Sequence, residues 1–318
     1  MDECKLIELR NNLLQVSVLP AVGAKIFDLV DRRSNHNFLW HNPRISPQSY
    51  PIEANFDNYW CGGWDDGFPT CELSTHNGEQ YPNLGELRSV HWSVVSHEET
   101  GEQPSVTLSA FGPISPIKAQ KKISLIRGAI EVDYTIDHLG ALPLDYIWGT
   151  HPAYAVEPGC VIHLPARTGI VGQANHPSLG EHGQRYAWPN LQTAEGSIDM
   201  SVLHPNGKLS AGHYAADLAA GWYALEYPQR GIGLLFEFPL DICPYLWLWL
   251  SYGGWRGYYL AVIEPWTSYP VTLSDAVAGG THRVLNPGDQ FTCKTRVTPW
   301  SQPVTLSDLL EEKGLTKP

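Results

Sequence analysis

The chain is poor in several things at once. Two methionines in 318 residues, and charged residues at only 17% against about 25% in an average domain, argue against a helical bundle, which needs Leu, Ala, Glu and Lys in quantity. No run of five basic residues occurs, and the net charge is −12. That disfavours nucleic acid and anionic membrane surfaces as partners. No stretch of 18 uninterrupted apolar residues is present, so no membrane span is expected. The first 25 residues carry Asp2 and Glu3 and no long apolar segment, so no signal peptide is expected. The six cysteines are scattered without a CxxC pair and no N-x-S/T acceptor exists; reduced thiols in a cytoplasm are the expectation. There is no GxGxxG, P-loop, HExxH or GxSxG string, which leaves nucleotide, zinc-protease and α/β-hydrolase chemistry unsupported. His176, His182 and His204 lack a ligand-like spacing, so neither metal nor cofactor is expected.

What is present is 29 Gly, 25 Pro, 12 Trp and 15 Tyr. That mixture fits many short strands joined by tight turns. Flat indole and phenol faces also suit the apolar faces of sugar rings, or simply sheet packing. Period-two segments recur: Leu14–Leu19, Val106–Phe111, Lys118–Ile126, Ala129–Asp137, Gly233–Phe238, Tyr245–Leu250, Tyr258–Ile263 and Phe291–Val297. Arg127-Gly128 reads as a hairpin turn. Only Ser307–Lys313 reads as helix, with a serine cap. The expectation is an all-β protein of antiparallel sheets, one domain over 1–318, with residues 41–85 too long for a bare loop.

Five segments carry candidate chemistry. In WGTHPAY, His151 precedes Pro152, which favours extended backbone at a strand end; an imidazole there can move a proton near neutral pH, or merely cap a turn. In AVIEPWT, Glu264 ends an apolar run, where desolvation would raise its pKa and suit it to proton transfer. The segment WCGGWDDGFP groups Trp60, Trp64, Asp65 and Asp66, either as stacking faces with hydroxyl acceptors or as a rigid Asp-capped turn. Arg88 is a rare cation in an acidic chain, fit for ring hydroxyls or for a surface ion pair. Alternation in Tyr245–Leu250 puts Tyr245, Trp247 and Trp249 on one face and three leucines on the other; Gly253-Gly254-Trp255 then makes a loop near the same sheet end.

The segment Leu139–Ala166, with its His-Pro-x-Tyr, resembles the central motif of the aldose 1-epimerase, or galactose mutarotase-like, superfamily. IEPWTSYP resembles that family's later strand with Glu followed by Pro. Gly23–Ile26 with Asn37–Trp40, Tyr81–Arg88 and Asn286–Asp289 resemble its opening strands, its binding segment and the turn before its last strand. In that order these run from about Leu14 to Pro299. The resemblance implies a β-supersandwich and a cofactor-free isomerase acting on a free, neutral sugar, as monomer or homodimer. It implies His151 as general acid to the ring oxygen, Glu264 as general base at the anomeric hydroxyl and Arg88 as a hydroxyl-binding residue. Trp64, Asp65, Trp249 and Trp255 join Arg88 as expected substrate contacts. Leu84 stands where the family often has His, and the loop of residues 60–72 is expected to supply replacement contacts. Phosphorylated sugars would need clustered Arg or Lys. Two alternatives stay open: a non-catalytic carbohydrate-binding protein, and a hydrolase or lyase in which Asp65, Asp66 or Glu72 partners Glu264. A hydrolase needs two carboxylates about 5–5.5 or 6.5–9.5 Å apart.

Overall fold

The computed structural model describes residues 4–315. Two antiparallel sheets dominate. One has eleven strands and runs in the order Ile7–Arg10, Leu14–Leu19, Lys25–Asp31, Trp64–Gly67, Gly149–Tyr154, Tyr258–Trp266, Tyr245–Trp255, Leu209–Ala216, Thr168–Ala174 and Arg185–Ala187, with His36–Asn37 paired to the side. The other has eight strands, with Gln290–Ser301 and Ala129–His138 at its centre. The all-β, antiparallel expectation therefore holds, and the fold is a β-sandwich.

The alternation in the sequence predicts which face goes inward. Leu246, Leu248 and Leu250 are fully buried in the layer between the sheets, together with Val132, Ile136, Leu234 and Phe236. The opposite face of the eleven-stranded sheet carries a second aromatic cluster that includes Trp60, Trp247, Val262 and Trp266. Burial of both faces of a strand is what a near-continuous apolar run such as YLWLWL requires. The hairpin expected at Arg127-Gly128 forms, with φ of 50° and 82° at the two turn residues, joining Ile117–Ile126 to Ala129–His138.

Three local expectations need correction. The C-terminal helix is Leu306–Glu312, and its cap is Thr305, in a capping box with Asp308, rather than Ser307. A second helix, Leu273–Ala278, had no periodicity long enough to reveal it. His151 does not end a strand: it sits within Gly149–Tyr154, with Pro152 inside a central strand. The ladder to Tyr258–Trp266 is broken there. Gly149 pairs with Trp266 and Ala153 with Val262, and no bridge forms over the three residues between. Proline's missing N–H thus falls in a gap where no ladder bond is needed.

Two ion pairs, the first buried on both sides and the second on the lysine side, sit on opposite faces of the short strand Trp64–Gly67. Asp65 meets Lys25 at 2.6 Å and Asp66 meets Lys121 at 2.6 Å. Lys121 also donates to the Ala24 carbonyl at 3.1 Å and lies against the Tyr134 ring. Removing one partner of such a pair strands a buried charge. Asp66→Ala is therefore expected to destabilise the protein by about 3–5 kcal/mol in urea titration, whereas an exposed charge such as Glu102 can be replaced by Ala within about 0.5 kcal/mol.

Candidate active site

The register that breaks the ladder also builds the site. With Gly149 opposite Trp266 and Ala153 opposite Val262, His151 stands opposite Glu264. On the far side of the same two strands, His151 pairs with Asp65 and Glu264 with Trp247. Asp65, His151, Glu264 and Trp247 become one row across four strands. Because directly opposed residues share a face, the row projects into the second aromatic cluster. His151 Nε2 lies 3.8 Å from Glu264 Oε1.

Both groups are desolvated, Glu264 at 1% exposure and His151 at 8%. Burial raises the Glu264 carboxyl well above the ordinary range; the Trp266 indole N–H, which donates to Oε2 at 3.1 Å, opposes this, and Glu72 adds to it. Burial lowers His151 to about 4, with Asp65 pulling it up and Lys25 pushing it down. Each group is pushed toward its neutral form. Burial thus moves the proton preference of the pair away from the imidazole and toward the carboxyl.

Trp266 is fixed from below by glycines. A methyl group on Gly149 or Gly67 would run into its indole, so those two positions clear the space in which the ring lies flat. Trp247 is seated in the same way over Gly172 and Gly212. Here the glycines of the sequence have a packing reason rather than a turn reason.

A cavity of about 290 Å³ opens over the pair. Trp60, Trp247, Trp249, Trp255 and Phe56 form its aromatic walls; Cys71, Glu72, Asn83, Leu84, Asp57 and Gln173 complete it. The indoles of Trp60, Trp249 and Trp255 meet edge to face, at centroid distances of 6.4, 5.6 and 5.3 Å. The hairpin tip bearing Trp255 is tied to the 3-10 turn Phe56–Asn58: Trp255 Nε1 donates to Asp57 at 3.4 Å, and Arg256 donates to the Asp57 carbonyl at 2.8 Å and to Asn58 at 2.9 Å. Among the described residues lining the cavity there is no Lys or Arg.

The structure brings together His151, Glu264, Trp249 and Trp255 from the sequence expectations, and the loop of residues 60–72 contributes Trp60, Cys71 and Glu72. Three expected substrate contacts are placed elsewhere. Trp64 is in the layer between the sheets, its ring against Phe236 and its indole N–H donating to Thr150. Asp65 is 2% exposed and engaged by Lys25 and by the Trp60 indole N–H. Arg88 is 2% exposed. It donates to the carbonyls of Asn83, Ile52 and Ala54 and lies over the rings of Tyr50 and Phe56. Its guanidinium holds the segment leading to Phe56 and Asp57, so it shapes the cavity wall at one remove. Asp66 faces Lys121, which leaves Glu72 as the second carboxylate beside Glu264 of the three considered. Phe56, Asp57, Cys71, Asn83 and Gln173 were not singled out in the sequence. They lie in loops, in the 3-10 turn Phe56–Asn58 or at a strand position whose neighbours carry no pattern. Leu84, at φ 58°, presents an apolar side chain where a histidine was the family expectation.

Gly149→Ala is expected to force the Trp266 ring off its seat and lower stability by about 1–3 kcal/mol, as overpacking does, read as a drop in thermal midpoint; an unchanged midpoint would contradict the packing described.

No protein-family model and no curated protein sequence matches the chain. Solved structures do match in shape. A protein from Synechocystis sp. PCC 6803 superposes with a TM-score of 0.70 at 15% identity, over 95% of this chain and 97% of that one. A galactose mutarotase-like protein from Clostridium acetobutylicum gives 0.65 at 15%, over 94% and 96%. One from Lactobacillus casei gives 0.62 at 16%, over 93% and 100%. The chain has the galactose mutarotase-like β-sandwich fold.

Proposed function

We propose that this protein is an aldose 1-epimerase, interconverting the anomers of a free, neutral sugar, with His151 and Glu264 as its acid–base pair in one mutarotase-like domain. The observation that carries the reading is the facing of His151 Nε2 and Glu264 Oε1 across 3.8 Å, beneath an indole-walled cavity. Anomer exchange asks little else of a protein. One proton leaves the anomeric hydroxyl, one reaches the ring oxygen, the bond turns in the open aldehyde, and closure reverses both transfers. A carboxylate and an imidazolium perform the opening, each such group contributing ~10²–10⁴-fold. After opening, the carboxyl is protonated and the imidazole neutral. Burial pushes both groups in that same direction. Indole faces suit the C–H faces of a pyranose, and the lack of lining cations favours a sugar without phosphate. Six unpaired cysteines accord with a reducing cytoplasm.

Polarimetry of freshly dissolved α-anomers tests this directly. Wild type accelerates the approach to equilibrium, and His151→Asn and Glu264→Gln each lose ~10²-fold or more. Equal rates in all three would leave only a binding role. The pH dependence has a definite sign. Below about pH 4, His151 takes a second proton and the pair has no base left, so kcat/KM falls as pH falls through about 4. The alkaline limb, where the last proton leaves, lies well above the ordinary carboxyl range. An acid limb near 6.5, the ordinary histidine value, would contradict the desolvated pair.

A further inference from the structure

Behind His151, on the neighbouring strands, lies a buried chain of polar contacts that proton transfer does not use. Lys25 Nζ donates to Asp65 Oδ2 at 2.6 Å and to the Gly62 carbonyl at 2.7 Å. The same Asp65 oxygen accepts the indole N–H of Trp60 at 3.0 Å. Trp60 stands edge-on to His151, with ring centroids 5.5 Å apart, and also meets Trp249 and Trp255. The backbone is shaped to allow this. Gly62 and Gly63 have φ of 87° and 86°; a methyl group on the first would strike the Trp40 carbonyl, and one on the second would press on the Lys25 stem and the Ile26 carbonyl. Lys25 and Asp65 are both nearly inaccessible, at 1% and 2%. Burial pulls Lys25 down, but Asp65, Cys61 and Tyr50 more than offset it and hold the ammonium above its usual range. A desolvated ion pair is seldom the cheapest way to stabilise a sheet, since well-packed apolar residues often do as well or better. Its position therefore asks for another reason.

We propose that Lys25 and Asp65 are positioning residues of the acid–base site: their ion pair anchors the Trp60 indole, and Trp60 in turn fixes the imidazole of His151 and one aromatic wall of the cavity. The inference rests on the acid–base reading of His151 and Glu264. It gives the Asp65 carboxylate a task different from the substrate contact expected of it. The two charges also bear on His151 with opposite sign, Asp65 favouring the imidazolium and Lys25 opposing it. The charged and titratable groups that face His151 are Glu264 on the adjacent strand, Asp65 with Lys25 behind it, and Asp57, Cys71 and Glu72 on the cavity rim.

The experiment uses four variants of the full chain: Lys25→Met/Asp65→Leu, Trp60→Phe, Asp65→Asn and Lys25→Met. The double variant removes both charges together, so no lone charge is buried, and Trp60→Phe keeps a ring but removes the tether. Both are expected to lower kcat for anomer exchange by about 10²-fold, the effect of a small misplacement of a reacting group, with a smaller change in KM. In the double variant the Trp60 indole N–H resonance moves. Asp65→Asn leaves Lys25 unopposed and shifts the His151 imidazole titration down; Lys25→Met leaves Asp65 unopposed and shifts it up, each on the order of one pH unit. Wild-type kcat in folded Trp60→Phe, an unmoved Trp60 resonance in the folded double variant, or His151 shifts of the same sign in the two single variants would each overturn the proposal. Wild type without any anomer exchange would overturn the proposed function instead, and the two resonances would still decide whether the ion pair positions Trp60 and His151.

Discussion

Everything at this site depends on one cross-strand register. Strand Gly149–Tyr154 lies beside strand Tyr258–Trp266 so that His151 opposes Glu264. A slip of one residue in strand Gly149–Tyr154 would turn His151 to the other face of the sheet, into the apolar layer between the two sheets and away from Glu264. Pro152 and the local break in the ladder are part of the same arrangement. They leave a gap in the hydrogen bonding beside the pair, and the backbone there is held by its other neighbour, strand Trp64–Gly67. Burial then acts on what the register has placed. Desolvation drives the carboxyl up and the imidazole down, so each group is pushed toward its neutral form.

The aromatic excess of the chain divides along the same line. Trp64, Trp148 and Trp222 fill packed layers. Trp60, Trp247, Trp249 and Trp255 wall the cavity, and Trp266 lies beneath it with its N–H on Glu264. What separates them is strand parity. Trp64 and Asp66 point between the sheets while Asp65, one residue along, points with His151 toward the site.

Much of the architecture is legible in the sequence, because period-two alternation and Gly/Pro punctuation report directly on strands and turns. Tyr245–Leu250 shows this well: both of its faces could be assigned before any coordinates. His151 and Glu264 are legible for a different reason, since His-Pro and Glu-Pro at apolar strands are rare and come in the order of the family motifs. The fates of Asp65 and Arg88 are not legible. Whether a carboxylate meets a sugar or a buried lysine depends on Lys25, forty residues earlier, arriving beneath it. The sequence suits Arg88 to ring hydroxyls or to a surface ion pair, yet its partners are the backbone carbonyls of Asn83, Ile52 and Ala54, which any residue type supplies and no sequence pattern marks. Lining residues such as Asn83 in a loop and Gln173 in strand Thr168–Ala174 are hidden because no pattern around them marks which side chain reaches the cavity.

The central claim is that His151 and Glu264 work as one unit. Two-dimensional exchange NMR of a sugar at anomeric equilibrium measures the rate they catalyse without any net reaction. In the wild type, His151→Asn, Glu264→Gln and the double variant, the account predicts strong non-additivity: each single change removes nearly as much catalysis as both together, as happens when residues act jointly. Independent contributions that add in free energy, or exchange at the wild-type rate in either single variant, would contradict it.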